Sequence, residues 1–252
     1  MERIPGRTHS FVAALILATT ACCGLCVAAS KSPPEDEPVT SATPTLEAKC
    51  GVPFRDNAVL QQKTPLSVWG ASLPGAKVTV SFGGQTKTAD ADDNGSWRVI
   101  LEPMDAVKLQ SVNDCPAGRT MTVVCEKDGR KAVKKIENVI LGDVWLCAGQ
   151  SNMAGKMRTN TTRHFPENSI ERANYPALRH MVSGEGASWL ICSPETAPEF
   201  KKVAFFFGRR LQQDALVPVG LISAAVGGSN IETWLNRQPY PTGGNYIKLI
   251  EP

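Results

Sequence analysis

The sequence predicts an α/β chain in which a parallel sheet follows a small β-sandwich. Three observations carry that expectation. From Cys50 to Asn138, short alternating segments succeed one another between turn signals, with no convincing helix. After Val139 the order becomes strand, helix, strand, helix. Both later strands run into glycine-bearing turns at a helix start, where open α/β sheets bind ligands beyond the carboxyl ends of their strands.

The chain of 252 residues is 42% hydrophobic and 20% charged, which excludes a disordered protein and suits two small domains or one large one. The formal net charge of +3 comes without a basic block interleaved with aromatics, so nucleic acid is not an expected partner. Arg3 and Arg7 precede an uncharged, mostly apolar run from Phe11 to Ala29 that closes on Val27-Ala28-Ala29-Ser30. The order basic, apolar, small reads as a secretory signal peptide over residues 1–29, giving a secreted or periplasmic protein. A retained single-span anchor is the alternative, because the run is nearly long enough to cross a bilayer. A lipoprotein reading through Cys22 or Cys26 is weaker, since Thr19 and Cys23 stand where a branched apolar residue is wanted. Residues 30–49 are rich in Pro, Thr, Glu and Ser and read as a flexible linker.

Of eight cysteines, Cys22, Cys23 and Cys26 lie in the signal. The remaining Cys50, Cys115, Cys125, Cys147 and Cys192 are odd in number, so at least one is unpaired or pairs outside the chain. Their spacing is no zinc pattern, and neither a metal nor a cofactor is expected.

Residues 50–138 form the expected β-sandwich, of jelly-roll type. Val78, Val80 and Phe82 alternate with Thr79 and Ser81, the period of a strand with one buried face. Asp93-Asn94-Gly95 before Ser96-Trp97-Arg98-Val99-Ile100-Leu101 is a hairpin signal, and so is Asp128-Gly129 between residues 121–126 and 132–139. Met121, Val123 and Cys125 share a face, which makes Cys125 a core residue; a Cys115–Cys125 bridge is an open alternative.

Residues 139–252 hold the α/β part. A strand through Val144-Trp145-Leu146-Cys147-Ala148 leads into Gly149-Gln150-Ser151-Asn152-Met153. Phe200, Val203, Ala204, Phe207 and Leu211 recur at helical spacing up to about Ala215. Residues 217–226 are apolar on both faces, as in a covered parallel strand. Gly227-Gly228-Ser229-Asn230 then turns into a helix beginning Ile231-Glu232-Thr233-Trp234-Leu235.

A strand that ends in glycine and presents a serine before a helix suits a nucleophile. The turn exposes the hydroxyl, and N–H groups at the helix start receive negative charge. Taken alone, Ser151 reads equally as a helix cap. Cys147, four residues earlier within an apolar run, reads as a buried inert thiol rather than as the nucleophile of a cysteine hydrolase.

Residues 142–153, Gly-Asp-Val-Trp-Leu-Cys-Ala-Gly-Gln-Ser-Asn-Met, resemble the nucleophile block of the sialate O-acetylesterase family, within the SGNH hydrolases. Trp189-Leu190-Ile191-Cys192-Ser193-Pro194-Glu195-Thr196 and Val203-Ala204-Phe205-Phe206-Phe207-Gly208-Arg209 resemble the stretch that follows it. Val217-Pro218-Val219-Gly220-Leu221-Ile222 with Gly227-Gly228-Ser229-Asn230-Ile231-Glu232-Thr233-Trp234 resembles the second block. Asp56-Asn57-Ala58-Val59-Leu60-Gln61-Gln62 and Asp93-Asn94-Gly95-Ser96-Trp97 fit the family's N-terminal domain.

The resemblance implies a three-layer, flavodoxin-like sheet whose C-terminal part is missing. It implies a serine esterase that removes O-acetyl groups from carbohydrates through an acetyl-enzyme. Ser151 is then nucleophile and oxyanion donor, and Gly227 and Gly228 complete the oxyanion hole. The two glycines also read as a helix-entry turn that simply needs glycine. Gln150, Asn152, Ser229 and Asn230 are the substrate-binding candidates, with O-acetylated sugar as the partner.

The family completes its site with a Gln-Gly-Glu block and an Asp-x-x-His motif, and neither occurs in this chain. His9 belongs to the signal, while His164 and His180 stand outside any Asp-x-x-His setting and read as surface histidines of the connecting segment. The expectation is therefore an esterase chain truncated before its general base. The alternatives are a short protein that has lost catalysis, or a non-catalytic carbohydrate-binding module.

Overall fold

A computed structural model describes residues 45–159, 168–182 and 186–231. The expected signal peptide, most of the linker, His164 and everything from Glu232 onward lie outside the described residues. The described elements run β1 Lys49–Cys50, β2 Val59–Gln61, β3 Leu66–Ala71, β4 Lys77–Phe82, β5 Gln85–Asp90, β6 Ser96–Leu101, β7 Arg119–Lys127 and β8 Arg130–Gly149. After β8 come α1 Ser151–Ala154, β9 Tyr175–Val182, β10 Trp189–Cys192, α2 Lys202–Ala215 and β11 Val219–Ala225. All of these belong to one unit, Pro44–Pro252.

The fold is mixed α/β and dominated by one large sheet in the order β10-β9-β11-β8-β7-β4-β5, with β2 also on β8. A second sheet, β1-β3-β6, is antiparallel throughout. A single core runs between them, through Val68, Val80, Trp97, Val99, Met121, Val123, Cys125 and Ile136. The β-rich segment and the parallel sheet do not meet at a linker. Strand β8 passes through residues 138–139 without a break, pairing first with β7, then with β2, then with β11.

The Asp128-Gly129 turn forms as expected, with both residues at positive φ (50° and 72°), the requirement of a type I′ hairpin. The Asp93-Asn94-Gly95 turn does not close a hairpin. Strand β5 pairs with β4 and β6 pairs with β3, so this turn carries the chain from one sheet to the other. Asp92 holds it by accepting hydrogen bonds from the N–H groups of Asn94 and Ser96, a local cap that the motif signals equally well. The linker also ends earlier than expected, because Leu46 is buried and Lys49 already pairs with Ala71.

All five described cysteines are free, so no Cys115–Cys125 bridge exists. Cys125 fills the core between the sheets, while Cys115 faces β9 instead.

In the α/β part, β11 runs parallel to both β8 and β9, and β10 closes the edge antiparallel to β9. Helix α2 lies on one face and forms a second core with Cys147, Leu178, Val219 and Leu221. Its buried stripe is Ala204, Phe205, Gly208 and Gln212, one position round from the stripe the spacing suggested. Val203 and Phe207 face outward, where Phe207 meets Trp145 edge-on at 5.2 Å. The rotation has a packing cause. A Cβ at position 208 would come within 2.8 Å of Leu178 and Leu221, so glycine lets the helix settle on the sheet there. The helix stops at Leu216 in the left-handed region, followed closely by Pro218.

Where the two regions meet, Gly142 is pressed against β11: an added Cβ would stand 2.2 Å from the Pro218 carbonyl oxygen. Backbone cannot give way as a side-chain tip can. Gly142→Ala is expected to lower stability by about 2–3 kcal/mol, read as a drop in the urea midpoint; an unchanged midpoint would show that β8 and β11 part freely.

Candidate active site

The carboxyl ends of β8 and β11 lie side by side, with Ala148 beside Ala224 and Gly149 beside Ala225. Each strand turns there, and the two turns touch. Val226 donates its N–H to the Gly149 carbonyl at 3.0 Å. A Cβ built on Gly227 would lie 3.9 Å from Ser151 Cα and 4.0 Å from Ser151 Cβ. Two stretches 76 positions apart in sequence thus become neighbours because parallel strands end on the same edge.

Gly149 adopts φ +147°, and a side chain there would drive a Cβ to 2.8 Å from Met153 Cγ. Only glycine suits that turn. It delivers Ser151 to the first position of α1, exposed to solvent. Gln150 is the cap: its Oε1 accepts from the Ser151 N–H at 3.3 Å and from the Ser151 hydroxyl at 3.2 Å. Asn152 is exposed beside it. Gly228 has φ +76° with open space around it. Ser229 folds back, its hydroxyl donating to the Val226 carbonyl at 2.8 Å, so it braces the turn; Asn230 is exposed.

A residue the sequence did not advertise supports α1 from below. Lys201 is buried, and its Nζ donates to the Ala154 carbonyl at 2.8 Å, at the end of the helix. Backbone bonds from Lys202 to Gly155 and from Met157 to Phe200 tie the same two segments together. Burial lowers the Lys201 pKa, and Lys156 lowers it further. In the sequence, Lys201-Lys202 reads only as a charged helix start.

His180 is not a surface residue. It is fully buried on β9, its ring 4.9 Å from that of Phe200, with Nε2 2.8 Å from the Ser223 hydroxyl. Burial, then the charges of Lys201 and Lys156, push its pKa down to about 4. The neutral imidazole hydrogen-bonds Ser223, whereas the Ser151 hydroxyl bonds to Gln150. Among the described residues no histidine or carboxylate meets that hydroxyl. Cys147 is buried, its thiol pushed up to about 11 by desolvation, as an inert packing residue should be.

Known proteins resemble this chain as follows. Residues 141–251 match the model of a family described as carbohydrate esterase, sialic acid-specific acetylesterase. The sialate O-acetylesterase of Mus musculus is 29% identical over 227 residues, covering 77% of this chain and 39% of that protein. The Homo sapiens protein of the same name is 28% identical over 220 residues, covering 75% and 40%. The crystal structure of a carbohydrate acetylesterase from Xanthomonas citri superposes with a TM-score of 0.63 at 31% identity, over 77% of this chain and 42% of that one. The chain thus spans about two fifths of the length of the curated relatives it matches.

Proposed function

We propose, for a chain whose residues 141–251 match the model of a carbohydrate esterase family described as sialic acid-specific acetylesterase, that Ser151 is the nucleophile of an O-acetyl-carbohydrate esterase. The observation that carries this reading is the placement of the Gly227 turn beside Ser151, where a Cβ on Gly227 would lie 3.9 Å from Ser151 Cα. A nucleophile alone cannot stabilise the tetrahedral oxyanion. N–H donors aimed at the carbonyl oxygen are needed, and a glycine there leaves room for the oxygen to approach.

In this mechanism the Ser151 oxygen attacks the acetyl carbonyl, and the oxyanion is held by N–H groups of Ser151 and the 227–228 turn. The sugar hydroxyl leaves with a proton, and water then cleaves the acetyl-enzyme. Gln150 holds the Ser151 hydroxyl before attack, while Asn152, Ser229 and Asn230 border the sugar. Among the described residues no histidine or carboxylate meets the Ser151 hydroxyl to take its proton. The order basic, apolar, small over residues 1–29 supports export of the protein.

The test is to mix the protein with an aryl acetate, quench rapidly in acid, and map the acetyl group by peptide mass spectrometry. Acetyl on Ser151 is the expected result. Turnover without acetyl on Ser151 would sink the assignment. Glycan binding with neither turnover nor acetylation would favour a carbohydrate-binding module.

A further inference from the structure

At the junction between the β-rich region and the parallel sheet, Arg179 is buried to 1% exposure on β9. Its Nη1 donates to the Asn138 carbonyl at 2.6 Å, and its Nη2 reaches Asn138 Oδ1 at 3.3 Å and Cys115 Sγ at 3.7 Å. Nε has no partner. No carboxylate pairs with this guanidinium among the described residues. Burial lowers its pKa, and the opposing influence comes from Cys115. A buried cation without an anion is costly, and one aimed at sulfur is best relieved when that sulfur carries negative charge.

The surroundings of Cys115 single it out. Asp114, its neighbour in sequence, turns its carboxylate to the backbone N–H groups of Cys115 and Gln110. Asn138 is neutral, and the Pro176 carbonyl accepts from the thiol at 3.5 Å. Cys115 is half-buried, whereas Cys125, Cys147 and Cys192 are buried. Cys50, the other half-buried thiol, is pushed up to about 11 by desolvation.

We propose that Cys115 and Arg179 form a peroxide-sensitive thiol site. The Cys115 sulfur attacks one oxygen of a hydroperoxide, forming the S–O bond as the O–O bond breaks. The sulfur is oxidised by two electrons to a sulfenic acid, and the peroxide is reduced. The displaced oxygen leaves as water or alcohol, having taken up the thiol proton. Arg179 stabilises the negative sulfur as it attacks. The oxidised group stays beside the guanidinium that hydrogen-bonds Asn138, a β8 residue at φ +55°.

The test treats the full-length protein with limiting hydrogen peroxide and dimedone, and quantifies adducts at each cysteine by mass spectrometry. Cys115 is expected to carry at least tenfold more adduct than Cys50. Equal labelling, or more on Cys50, would overturn the proposal. Arg179→Met is expected to lower the Cys115 adduct about tenfold and Arg179→Lys to restore part of it; undiminished labelling in Arg179→Met would also overturn it. If that variant unfolds, seen as adducts on Cys125 and Cys192, the wild-type ratio decides alone.

Discussion

Ser151→Ala is expected to lower acetyl-ester hydrolysis by about 10⁴-fold or more, while leaving the unfolding free energy from urea titration within about 0.5 kcal/mol of the parent. The side chain is exposed and packs against nothing in either core, so its loss removes chemistry and not stability. Gly227→Ala sharpens the test. The backbone at Gly227 lies outside the left-handed region, and the added methyl would make only an ordinary contact, 3.9 Å from Ser151 Cα. Folding therefore tolerates alanine there. With the oxyanion held by the 227–228 turn as proposed, the methyl would crowd the approaching carbonyl oxygen, and a loss of about 10²–10³-fold in turnover is expected, the range for losing one oxyanion donor. Gly228→Ala makes the contrast. At φ +76° it costs about 1 kcal/mol of stability, yet its Cβ points into open space. If Gly227→Ala hydrolyses acetyl esters as fast as the parent, the glycine turn is only a helix entry.

The contrast between those two glycines also shows what the sequence makes legible. Gly149-Gln150-Ser151 and Gly227-Gly228 announce themselves as strand-end turns, since glycine and apolar runs are local signals. Their contact follows from topology once β8 and β11 are recognised as parallel neighbours. The Asp128-Gly129 hairpin is likewise written in two residues.

Other features depend on tertiary geometry that no local pattern records. The Asp93-Asn94-Gly95 turn has hairpin chemistry, but whether its strands pair or separate into two sheets is decided by the packing of Trp97 and Val99 against the other layer. The stripe of α2 is displaced because Gly208, the smallest residue on the helix, takes the closest approach, and apolarity alone does not signal that. Lys201 and Arg179 are invisible for a related reason. A charged residue reads as solvent-facing, and only the fold reveals that each hydrogen-bonds a backbone carbonyl inside.

His180 is a polar residue that a local pattern likewise assigns to the surface, and its burial has a measurable consequence. An imidazole held at a pKa of about 4 in the folded protein, against 6.5 when unperturbed, is neutral in the native state wherever the unfolded chain takes up a proton. The stability this contributes is complete above pH 6.5 and is lost as pH falls toward 4, amounting to about 3 kcal/mol across the window. The carboxylates do not blur the upper half of that window. Glu195 and Glu199 have lowered folded pKa values, so their contributions persist until pH falls below their unfolded value of 4.5. Urea midpoints measured at about pH 7.5, 6 and 5 should therefore decline, and in His180→Gln they should stay level over the same range. A parent protein whose midpoint holds steady down to pH 5 would mean that His180 accepts a proton in place, with Ser223 and the sheet adjusting around the cation.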